Sequence, residues 1–254
     1  MKNISSELIT YDIKLDISSK TQFILTQEEE MITQSVFNHE NLNRIILSHK
    51  GESLSQISFN TLKPSVWLND EVINMYSKLI ITELQEKGEK IYCFRSDFMN
   101  QLNSEGKFSY EKVKRWSRNV PNGDIFELEK LFIPININNM HWILAVIYMQ
   151  EKRIQIYDSY NSSGFIYLNN LIEYLKCEYQ DKKNAIGDWK NWNLVSCQDD
   201  TPSQNNGYDC GVFVCMYIHF IADNRELNFN QDDVSSYRKF IAYQLAILNK
   251  KNIV

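Results

Sequence analysis

The chain of 254 residues is 43% hydrophobic and 13% aromatic, with scattered glycine and proline, no linker-like run and no repeat, so one domain with a large core is expected over residues 1–254. Its formal net charge of -5 argues against nucleic-acid binding as the main role, since phosphate contacts need a basic surface. No apolar stretch approaches the roughly 18 residues of a membrane span, and Met1 to Thr10 lacks a signal-peptide apolar region, so an intracellular protein without membrane insertion is expected.

Residues 1–25 alternate weakly (Ile13, Leu15, Ile17) and read as a strand or an N-terminal arm. Thr26 with Glu29 has the form of a capping box opening a helix to about Phe37. Leu42 to Ser65 reads as strand plus turns. Asn69 then has the form of an N-cap, Asp70 and Glu71 suit the positive helix end, and Val72, Ile73, Tyr76, Leu79, Ile80 and Leu84 recur at helical spacing before Gly88. Short helices are expected at Asp97–Leu102 and Tyr110–Trp116, where Lys112, Lys114, Arg115 and Arg118 make a solvated basic face. Strands follow at Lys130–Pro134, Trp142–Met149 and Arg153–Tyr157, the last two as an antiparallel hairpin. Trp142–Met149 is almost wholly apolar, as a central strand is. Helices at Phe165–Tyr179, Cys210–Ala222 and Asp233–Asn249, with a short strand near Trp192–Val195, complete an α+β domain.

The five cysteines (Cys93, Cys177, Cys197, Cys210 and Cys215) are odd in number and widely spaced, so neither a disulfide framework nor a zinc site is expected. Cys210 stands where a polar, Gly-containing loop runs into an apolar helix. Backbone N–H groups at a helix start favour an anion and ease ionisation of a thiol, and Gly211 would leave it uncrowded. A buried cysteine capping a core helix is the other reading. A thiol nucleophile needs a base, and four histidines exist. His219 lies nine residues on and faces the opposite side of the same helix. His39 and His49 sit in polar surroundings, whereas His141 opens the most apolar strand, a rigid mount for an imidazole. In a hairpin the start of one strand lies beside the end of the next. Asp158, which could also simply initiate a turn, thus becomes the carboxylate able to orient His141.

Trp67-Leu-Asn-Asp70-Glu-Val-Ile-Asn74, Val113-Lys-Arg-Trp116, Pro134 to Trp142, Tyr157-Asp158-Ser159 and Gln204 to Cys215 together resemble, in order and spacing, the SUMO-protease family of the Ulp/SENP type, over about Glu28 to Leu248. The resemblance implies a permuted papain-like core, a central mostly antiparallel sheet flanked by helices, acting as a monomer with no cofactor. It implies a cysteine protease that cleaves after the C-terminal Gly-Gly of SUMO, processing precursors or releasing SUMO-conjugated proteins in the nucleus or cytoplasm. By the same resemblance Cys210 attacks, His141 moves the proton, Asp158 orients it, and Gln204 supplies an oxyanion donor. Trp67 and Trp142 would form a narrow slot over the Gly-Gly tail, Asp70 would meet a basic residue of the modifier, and Phe98 would add an aromatic contact. Both tryptophans could equally be core residues, and Asp70 a helix-start charge. The same chemistry directed at ubiquitin, a NEDD8-like modifier or acyl transfer, or a dead modifier-binding domain, are the alternatives; Val113–Trp116 and Arg238–Ala242 favour SUMO.

Overall fold

The computed structural model describes residues 23–162 and 164–251. The expected strand at Ile13–Ile17 and most of the expected arm lie outside them, but Phe23 is already buried, its ring 4.5 Å from that of Tyr237.

Helix α1 (Gln27–Phe37) starts on the capping box: the Thr26 hydroxyl accepts the Glu29 N–H and the Glu29 carboxylate accepts the Thr26 N–H. The stretch read as strand plus turns is an antiparallel hairpin, β1 (Ile45–His49) and β2 (Glu52–Ser55), followed by the single-turn α2 (Gln56–Phe59). Asn69 caps α3 (Asp70–Glu86) by accepting the Val72 N–H at 3.2 Å. The Glu71 carboxylate accepts from the Ser55 backbone and hydroxyl, which ties the helix start to the hairpin.

A five-stranded sheet forms the centre. Its strands are β3 (Ile91–Cys93), β4 (Lys130–Ile137), β5 (His141–Tyr148), β6 (Arg153–Tyr157) and β7 (Asn193–Val195), in that spatial order. The three middle strands are antiparallel, as expected, but both edges pair in parallel, so the sheet is mixed. A parallel partner must return through a crossover, and α5 (Phe165–Lys183) carries the chain from β6 to β7. Between β3 and β4 lie α4 (Phe98–Leu102) and a series of 3-10 turns. The helix expected at Tyr110–Trp116 is two such turns, and the basic cluster is spread along them.

Alternate residues of β5 enter two different cores. Trp142, Leu144, Val146 and Tyr148 face α3, α6 (Cys210–Ala222) and α7 (Val234–Lys251). Ile143, Ala145 and Ile147 face α4 and α5. Burial on both faces explains an apolar run without alternation. Every residue of α6 is buried, which is why its sequence is apolar all round and why its first residue is held rigidly.

Candidate active site

Two local features place His141. Asn138 and Asn139 both have positive φ, 53° and 57°, and the Met140 N–H returns to the Ile137 carbonyl at 2.9 Å. Asparagine tolerates this left-handed backbone, and two such residues in succession suit the twist of a hairpin. The polar run before His141 is thus the β4–β5 turn, and the imidazole is mounted on the first residue after it. Asp158 directly follows β6, paired with β5 in the register Leu144–Tyr157. The His141 Nε2 and Asp158 Oδ1 are 2.6 Å apart. Asp158 is also the first residue of a turn closed by the Asn161 N–H at 2.9 Å.

Asp158 is fully buried, yet its carboxyl is held below the usual carboxylate value. Burial alone would raise it; His141, the Ser162 hydroxyl and the Tyr160 N–H outweigh burial by hydrogen bonding to the charged form. For His141 burial pushes the pKa down, but the hydrogen bond to Asp158, then the neighbouring Cys210, raise it to about 9. The second ring nitrogen, Nδ1, is also buried, and Cys210 is the imidazole's other hydrogen-bonding neighbour. The Tyr160 ring lies against the imidazole at 4.9 Å between centroids. His219 is instead fully buried, bonded through Nδ1 to the Tyr237 hydroxyl at 2.7 Å, and His39 is exposed. Among the described residues His141 is the imidazole beside Cys210.

Cys210 is the first residue of α6 and is buried. The preceding loop is fastened through Asp209, whose carboxylate accepts from Asn206, Gln231 and Arg238. Arg238, on α7, is a buried guanidinium that also donates to the carbonyls of Thr61, Lys63, Val66 and Tyr208. It therefore joins the segment before Trp67 to the loop before Cys210. The sequence carries a signal for it: Arg238 stands at helical spacing between Val234 and Ile241, a charge on the apolar face. Gln204 is buried beside Ser159, whose hydroxyl donates to its Oε1 at 2.6 Å.

The two tryptophans differ. Trp67 is 47% exposed, whereas Trp142 is 5% exposed and donates its indole N–H to the Leu68 carbonyl at 3.0 Å. Trp142 thus supports the segment that carries Trp67. Gly211 serves this packing and not an open approach to the nucleophile: a Cβ there would stand 2.9 Å from the Leu68 Cβ. Asp70 is exposed on the first turn of α3. Phe98 is a correction. It is fully buried, stacked on Phe94 at 4.4 Å and packed edge-on against Trp116 and Tyr174, so it offers a partner no surface. Its aromatic character serves the second core.

All five cysteines are unpaired thiols. Cys197 brackets Asp158, accepting its N–H at 3.3 Å and donating to its carbonyl at 3.4 Å, with burial holding its pKa up. Among the described residues no helix is long and apolar enough to cross a membrane.

The chain as a whole is similar to known proteins. A putative ubiquitin-like-specific protease 1B of Arabidopsis thaliana is 32% identical over 84% of this chain and 64% of its own length. A sentrin-specific protease of Caenorhabditis elegans is 38% identical over 75% of this chain and 26% of its own. The chain therefore spans less than two thirds of the curated relatives named here. The C-terminal Ulp1 protease domain solved in complex with Smt3, the yeast ortholog of SUMO, superposes with a TM-score of 0.76 at 30% identity, covering 89% of this chain and 96% of that one. The model of the Ulp1 protease family, C-terminal catalytic domain, matches residues 66–251, and the chain belongs to that family.

Proposed function

We propose that the chain is a cysteine protease that cleaves after the C-terminal Gly-Gly of SUMO, maturing precursors or releasing SUMO from lysine conjugates. The observation that carries this is His141, bonded to buried Asp158 at 2.6 Å and neighbouring the Cys210 thiol at the start of α6. The Cys210 sulfur attacks the carbonyl carbon after the second glycine. His141 takes the thiol proton and gives it to the leaving amine as the C–N bond breaks; a ring with a pKa of about 9 holds that proton well at neutral pH. Water then cleaves the thioester, with His141 as base. The Gln204 side chain and the Cys210 backbone N–H hold the oxyanion, one such donor being worth about 3 kcal/mol.

Trp67, over the segment supported by Trp142, narrows the approach to residues without side chains. Asp70, exposed beyond it, favours a modifier with a basic patch. The relatives' names and the complex with Smt3 support SUMO as the modifier. Unpaired thiols and this substrate class support a nuclear or cytoplasmic setting.

The test is a set of SUMO, ubiquitin and NEDD8 probes ending in Gly-Gly with a reactive C-terminus, the labelled residue identified by mass spectrometry. Labelling of Cys210, fastest by SUMO, is expected. A label on Cys197 or Cys215 would refute the nucleophile, and ubiquitin reacting as fast as SUMO would refute the modifier.

A further inference from the structure

We propose that Ser159 is a positioning residue for the oxyanion donor, holding the Gln204 amide so that one N–H of Nε2 is left for the substrate. The inference rests on the role proposed above for Gln204. Ser159 is 1% exposed. Its hydroxyl donates to Gln204 Oε1 at 2.6 Å, and its carbonyl accepts the Gln204 backbone N–H at 3.0 Å.

A primary amide offers two N–H donors and one acceptor oxygen, so its bonds can be counted. Nε2 donates to the Asn206 carbonyl. That carbonyl can only accept, so it dictates which end of the amide is nitrogen, and it is itself steadied by the Tyr160 hydroxyl at 2.7 Å. Oε1 must then face Ser159 and needs a donor there, because a buried acceptor left unpaired is costly. With both ends fastened, the second N–H of Nε2 remains. An amide freed at Oε1 turns about its last side-chain bond and carries that N–H off line, and off-line donors stabilise an oxyanion poorly. Asp158 holds His141 and the next residue holds Gln204, so one dipeptide after β6 sets both the proton carrier and the oxyanion donor.

Alkylation by chloroacetamide separates this role from a merely structural one. There the Cys210 sulfur bonds to a saturated carbon as chloride leaves, and no oxyanion forms. Ser159→Ala is expected to lower kcat on a SUMO fusion ~10-fold with KM within ~2-fold, while the rate and pH profile of alkylation stay as in the parent. Gln204→Ala is expected to lower kcat by ~10²–10³-fold, and adding Ser159→Ala to it is expected to cost nothing further. Ser159→Cys, close in size with a weaker donor, is expected between the parent and Ser159→Ala, and it covers the case in which the alanine variant does not fold. The inference is overturned if Ser159→Ala has the same effect with and without Gln204, if it leaves kcat intact, or if it shifts the pH profile of alkylation. Full kcat in Gln204→Ala would instead overturn the oxyanion role itself.

Discussion

Replacing Asp158 with asparagine keeps the shape of the side chain and removes the charge that holds the His141 proton. The imidazole moves from an ordinary 6.5 to about 9, and at 1.36 kcal/mol per pH unit this is about 3 kcal/mol of preference for the charged ring in the folded state. Because the folded pKa is the higher one, that stability is fully present below about pH 6.5 and is lost as the pH rises through about 9. Cys210 also helps raise the ring, so the comparison is best made with Cys210→Ser in both proteins, where the histidine titrates without its thiol partner. The hydrogen bond to Asp158 is the largest raising influence and its charge adds to it, so the larger share of this pH-dependent stability should vanish in Asp158→Asn. An asparagine must also turn an NH₂ either toward the Ser162 donors or toward the Tyr160 N–H and His141, which lowers stability at every pH. Urea midpoints from pH 6 to pH 9.5, with the His141 ring titration followed by NMR, measure both effects. An identical slope of stability against pH in the two proteins would refute the claim that Asp158 holds this proton.

Arg238→Met leaves the Asp209 carboxylate buried without its cation and frees four carbonyls, so about 3–5 kcal/mol of stability should be lost; a urea-derived change below ~1 kcal/mol would contradict the clamp. Gly211→Ala forces a methyl into Leu68 and should cost about 1–3 kcal/mol, with kcat/KM on a SUMO fusion falling as the Trp67 segment shifts; an unchanged Tm would show that the segment yields freely. His219→Ala removes a buried ring and its bond to Tyr237, so it should destabilise by about 2–4 kcal/mol while alkylation of Cys210 proceeds normally in the folded fraction, whereas loss of alkylation with unchanged stability would give His219 a chemical part.

Three of the four residues proposed for catalysis were legible because each stands at an element boundary, and boundaries leave local traces. The apolar helix began at Cys210, the apolar strand at His141, and the second strand ended at Asp158. Pairing His141 with Asp158 followed from hairpin geometry. Gln204 was different: nothing in its own surroundings marks an oxyanion donor, and only the family resemblance pointed to it. Phe98 is buried and not at the surface, and an aromatic residue next to an expected contact region looks the same in sequence whether it faces out or in. The parallel edge strands were illegible for a related reason. β3 is three residues long, and its partner lies beyond a series of 3-10 turns, so no local pattern announces the pairing. Arg238 stands within a recognisable motif, but its partners come from segments about 30 and 170 residues away, a convergence that only the fold reveals.

Both edge strands of the sheet are only three residues long, and this bears on how the chain avoids sticking to itself. β5, with His-Trp-Ile-Leu-Ala-Val-Ile-Tyr, is the kind of apolar segment that templates intermolecular pairing when its edges are free. The fold places it in the middle, two strands from either side, and closes each side with a strand too short to recruit another chain. Because each edge strand pairs in parallel, it is delivered by a long crossover and not by a tight turn, so it can come away while the central hairpins persist. Detachment of β7 would uncover β6, whose Ile154 and Ile156 belong to the second core. Aggregation of this protein should accordingly begin from states in which Cys210, His141 and Asp158 are still assembled, and precipitating material should retain thiol reactivity until late.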